Sequence, residues 1–129
     1  MPFSPREIVS AESIDLPVAN TPNVNQMMIL TGTVSFDFKG SSADTLRRET
    51  IAFPIAKLSG DMVKGMGFAS LASICNIGIS GSAGWAVDQV RVKHDAQSER
   101  VMLEADVAVR DADGYIERLT YMAFVMAKV

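Results

Sequence analysis

The segment MMILTGTVSFDF alternates with period two from residue 28 to residue 38, and this feature limits the fold more than any other. Met28, Leu30, Val34, Phe36 and Phe38 share one phase with Gly32, while Met27, Ile29, Thr31, Thr33, Ser35 and Asp37 share the other. Successive side chains of a strand point to opposite faces, so this pattern predicts a long strand with one buried face. VMLEADVAV repeats the pattern, with Val101, Leu103, Ala105, Val107 and Val109 on one side and Glu104, Asp106 and Arg110 on the other. LRRETIAFPIA reads as a shorter strand that Pro54 ends or confines to an edge, since proline cannot donate to a ladder.

In WAVDQVRVKH, Trp85 and Val87 hold one phase and Val90 and Val92 the opposite one. A slip of one residue at Asp88–Gln89 is what a β-bulge produces. Residues 58–80 leave helix and strand open. Ser59 fits a helix cap, but Gly65 and Gly67 each cost a helix about 1 kcal/mol, and Leu71 to Ile79 alternate as a strand. The chain therefore reads as all-β: an antiparallel β-sandwich of about seven strands. Residues 1–25, with Pro2, Pro5, Pro17 and Pro22, form an N-terminal arm with one edge segment near Ile8–Leu16, and residues 26–129 form the sandwich. With 129 residues and 48% apolar content, one domain can build its core without disulfides or metal.

Charge and targeting signals narrow the partners. Lysines and arginines are scattered, with Arg47–Arg48 the one adjacent pair, and the net charge is −3, so neither nucleic acid nor an anionic membrane is expected. No apolar run is long enough to span a bilayer and the first residues lack a secretory apolar core, which makes the cytoplasm the default expectation and leaves signal-less export open.

The chemical motifs mostly dissolve on inspection. Asp111-Ala112-Asp113-Gly114 has a calcium-loop look, but with Gly114 at the sixth position the first and last ligands would be Val109 and Thr120. Asp-Gly between alternating runs reads instead as a tight hairpin turn. Cys75 and His94 are single residues of their kind, too few for a zinc site; Cys75 reads as a small buried hydrophobe and His94 as a solvated turn residue. GISGSAG lacks the final glycine of a nucleophile elbow, and GMGFAS is not a dinucleotide fingerprint. Glu104 and Asp106 share a face, as ordinary solvating carboxylates do. No catalytic residue, metal site or cofactor is expected, and the chain reads as a non-enzymatic protein.

Two binding themes remain. Trp85 and Tyr115 lie at strand ends, and with Asp88, Asp111 and Asp113 they make a candidate ligand site suited to stacking and hydrogen-bonding a sugar. TYMAFVMAKV is apolar on both faces, so it is either central and doubly covered or packed on another subunit. Tyr121, Met122, Phe124 and Met126 are the candidate interface of a homo-oligomer, with a trimer or hexamer favoured.

Phe53–Pro54 ending an early strand, Gly114–Tyr115 following another, and the terminal FVMA together resemble the H-type lectin domain over about residues 48–127. That domain is a small β-sandwich that assembles into trimers and binds sugars. The segment SGDMVKGMGF and the absence of tryptophan from the last strand depart from its pattern, and none of its sugar contacts is carried over. The resemblance implies the sandwich fold, with carbohydrate binding as the alternative to a pure assembly role.

Overall fold

The alternating segment near residue 30 is the second strand of a seven-stranded antiparallel β-sandwich in the computed structural model, which describes residues 5–18, 24–40, 46–77, 84–110 and 114–128. The strands are β1 (Glu7–Pro17), β2 (Gln26–Lys39), β3 (Leu46–Lys57), β4 (Val63–Ile77), β5 (Gly84–Asp95), β6 (Arg100–Arg110) and β7 (Gly114–Ala127). One sheet has the order β1-β2-β7-β4 and the other β3-β6-β5. Leu30, Val34, Phe36 and Phe38 of β2 point between the sheets, as their shared phase requires, and meet Phe53 of β3, Leu103 of β6 and Tyr121 of β7. Burying each such side chain contributes about 1.5–3 kcal/mol.

An aromatic cluster marks the middle of that core. The Phe53 ring lies 5.4 Å from Tyr121 and 6.3 Å from Phe36, in tilted and edge-on arrangements that suit aromatic quadrupoles. Gly32 makes the room. A Cβ there would fall 2.5 Å from both the Ser10 carbonyl and the Tyr121 hydroxyl, so β2 needs glycine where the tyrosine passes beneath it. Burial also pushes the Tyr121 hydroxyl pKa above its usual value of 10.0.

The edges agree with the prolines. β1 pairs only with β2, and β3 pairs only with β6. Pro54 does not end β3: the strand runs on to Lys57 across a register shift between Pro54 and Ala56. The ambiguous stretch resolves as a turn followed by a strand. Met62 N–H donates to the Ser59 carbonyl, and β4 then pairs along β7 without a helix. Gly65 and Gly67, which would cost a helix, fall where the β4 register shifts. The bulge expected at Asp88–Gln89 is present, with a register shift between Asp88 and Arg91 and Gln89 at φ 49°.

The Asp-Gly motif is corrected. β6 and β7 belong to different sheets and do not pair with each other, so they are not the two arms of a hairpin. Asp111 and Asp113 lie outside the described residues. Gly114 is not in the left-handed region; a Cβ there would meet the Arg110 carbonyl at 2.7 Å, so close approach at the crossing is what selects glycine. The tight connection is β5–β6. Asp95 accepts from Gln97 N–H at 3.1 Å and from the Ser98 hydroxyl at 2.8 Å, and Glu99 takes φ 54° to re-enter the ladder.

Candidate interaction faces

Directly opposed residues of antiparallel strands project to the same side, so the register defines the outer face of the four-stranded sheet. Its rows are Leu16–Met27–Met126, Ile14–Ile29–Phe124, Glu12–Thr31–Met122, Ser10–Thr33–Thr120 and Glu7–Ser35–Arg118. The first two rows are wholly apolar, Met122 extends them, and the remainder is polar. Ile14 is 54% exposed, Met122 43% and Leu16 39%, while Met27, Ile29, Phe124 and Met126 are half-buried. Every residue of β1 is exposed. Among the described residues no third layer lies across this face.

Of the four residues expected at an interface, Met122, Phe124 and Met126 lie on this outer face and Tyr121 does not. Tyr121 has the opposite phase and is buried against Phe53. The strand is apolar on both sides for two separate reasons: one side is core, the other is this exposed patch. Ile14, Leu16, Met27 and Ile29 were not expected there. The readable signal was the start of the β2 outer phase, where Met27 and Ile29 precede Thr31 and Thr33.

The outer face of the three-stranded sheet has a different chemistry. An open trough of about 950 Å³ runs across it, with a floor of Ala86 and Ala108 and walls that include Leu46, Arg48, Asp88 and Gln89. The short alanines leave the hollow between longer neighbours. Beside it, Glu104 meets Lys93 at 3.0 Å and Arg91 at 3.4 Å; Arg91 also reaches Asp106 at 3.6 Å. Asp106 accepts from the Thr50 hydroxyl at 2.9 Å. The carboxylate pair Glu104 and Asp106 is thus held in a charge ladder. At the bulge, Asp88 accepts from Gln89 N–H and Arg91 donates to the Gln89 carbonyl, both at 2.8 Å, which pins the strained turn.

The proposed sugar-site residues are only partly brought together. Trp85 is 41% exposed and pairs in register with inward-facing Val109, whereas Asp88 pairs with outward-facing Asp106. The two side chains leave β5 on opposite faces. Trp85 and Tyr115 do share one end of the sandwich, where the Gly84 carbonyl lies 3.5 Å from the Cβ position of Gly114. There too, the Arg47 guanidinium sits 4.5 Å over the Phe38 ring and donates to the Lys39 carbonyl at 2.9 Å. At the other end, His94 is not the solvated turn residue that its neighbours suggest. It is half-buried, and its Nε2 lies 2.8 Å from the Leu58 carbonyl, tying β5 to the turn after β3. The side chain of Cys75 lies outside the described residues.

Among the described residues, no group of three His, Cys, Asp or Glu side chains converges, and no helix is long and apolar enough to cross a membrane. Comparison with protein-family models, curated proteins and solved structures yields no match.

Proposed function

We propose that the chain is a non-enzymatic binding and assembly module that acts as a homo-oligomer. The observation that carries this reading is the exposure of Ile14, Leu16 and Met122 in adjoining rows of one sheet face. A contiguous apolar patch of this kind on a folded domain marks an interaction surface more often than a solvated one. Met27, Met122 and Met126 on either side of its middle row suit an interface that adapts its packing. Light scattering coupled to size exclusion tests the reading directly. The expected mass is a multiple of 13.9 kDa, and a mass of one chain at all concentrations would sink it.

A second reading, a carbohydrate-binding module like the H-type lectins, rests on Trp85 standing exposed at the same end as Tyr115. It predicts sugar-dependent changes in Trp85 fluorescence. No response across a broad glycan panel would remove it.

A further inference from the structure

We propose that a second copy of the chain docks face to face on the outer side of the four-stranded sheet, about a two-fold axis running along the strands. This rests on the homo-oligomer reading and names its surface and geometry.

Three observations select this mode. The first is size. The ten residue pairs of β1 with β2 set the length and the four strands the width of a face of about 33 by 19 Å, on the order of 600 Å² before side chains corrugate it. A stable interface needs ~800 Å² of accessible surface from each partner, so the full face approaches that value and its apolar rows alone do not. The sheets of two copies, about 10 Å apart, would meet as the layers of a sandwich do.

The second is the distribution of polarity. The apolar rows lie at the end where β1 leads into β2, and the polar rows lie at the other. Full overlap that brings apolar end onto apolar end requires the axis to run along the strands. β2 of one copy then faces β7 of the other, and β1 faces β4. The polar half forms a wet rim.

The third excludes the other self-association open to an edge strand. β1 carries Glu7, Glu12 and Asp15 within eleven residues. Two such edges side by side would set like charges together, the device by which natural sheets discourage edge pairing. Face-to-face docking keeps those carboxylates at the margin.

The test combines solution mass with hydrogen exchange on the full chain. Wild type is expected to hold an even number of chains, two or a hexamer built from such pairs. Met122→Glu and, separately, Ile14→Glu are each expected to reduce the mass to one chain. Both positions are exposed, so unchanged Trp85 emission would show the fold intact. Arg48→Glu, on the opposite side of the sandwich, is expected to leave the mass unchanged. Amides of β1 that point away from β2 should exchange freely in the oligomer. An oligomer that survives both face variants, an odd number of chains, or protection of those amides would overturn the face-to-face contact and leave the homo-oligomer reading standing. A single chain in the wild type would overturn both.

Discussion

The two sheets are alike inward and opposed outward. Facing each other, β2 and β7 of one sheet and β3 and β6 of the other present aliphatic and aromatic side chains packed to near-zero exposure. Facing away, the three-stranded sheet pairs Arg91 and Lys93 with Glu104 and Asp106, whereas the four-stranded sheet carries Ile14, Leu16 and Met122 in the open. A face whose charges are matched within one chain is finished by water. An apolar face gains free energy only when more apolar surface covers it. The contrast teaches that one sandwich can hold a charged side and an apolar side while its core serves both.

The most disruptive substitution for this comparison is Gly32→Ala. The new methyl would lie 2.5 Å from the Ser10 carbonyl and from the Tyr121 hydroxyl. Because Ser10 is backbone in β1, the edge strand must move or the aromatic cluster must repack, at a cost of about 1–3 kcal/mol. A lower denaturant midpoint with an unchanged slope is the expected result. Damage should fall on the four-stranded side: β1 amides should exchange faster while those of β5 and β6 keep their protection. Equal loosening of both sheets would mean that the outer faces are not separable.

Next in size is Glu104→Ala, which attacks the solvated face. Glu104 is the least exposed member of the charge ladder, at 16% for its side chain, and its loss removes the carboxylate that Lys93 meets and leaves Asp106 as the one carboxylate beside Arg91 among the described ion pairs. The expected loss is about 1 kcal/mol in low salt and less as ionic strength rises, because partly exposed ion pairs are screened. Chemical denaturation by urea at two salt concentrations measures it. The oligomeric mass should not respond. A change in mass would place the charge ladder in the interface and break the proposed division between faces.

The inward half of this architecture was legible in the sequence because burial imposes a strict period of two. Residues 28–38 and 101–109 therefore announced their core faces, and the phase slip at Asp88–Gln89 announced the bulge. Strand partners were not legible. Asp-Gly permits a close backbone approach in a hairpin and in an inter-sheet crossing alike, so the sequence around Gly114 did not distinguish them. The hairpin it suggested belongs to Asp95–Arg100, where an aspartate and a left-handed Glu99 do the work without glycine. For the same reason the sequence alone groups Tyr121 with Met122. Their opposite phases were visible, but which phase faced the core depended on the pairing with β2 and on the gap at Gly32. The apolar patch spans two consecutive strands and a third that is distant in sequence, and only the register unites Ile14, Ile29 and Phe124 into one row.

The smallest expected effect separates the two hairpins by acidity. Asp95 titrates below its ordinary value of 3.8, chiefly because the Ser98 hydroxyl and then the Gln97 N–H donate to its ionised form; the nearby His94 adds a weaker push in the same direction. Its folded pKa lies under its unfolded one, so the stabilisation is present above about 3.8 and is lost as pH falls through the folded value. Asp95→Asn should flatten that acid-side loss, because a neutral amide still accepts a hydrogen bond and does not titrate. The change should be read in the amides of Ala96–Arg100, since full solvent exposure keeps the effect on global stability small. The β1–β2 connection, at the apolar end of the other sheet, should show no difference between the two proteins. If Asp95→Asn altered exchange there as well, the two sheets would be coupled through their loops, and their outer faces would have to be treated as one surface.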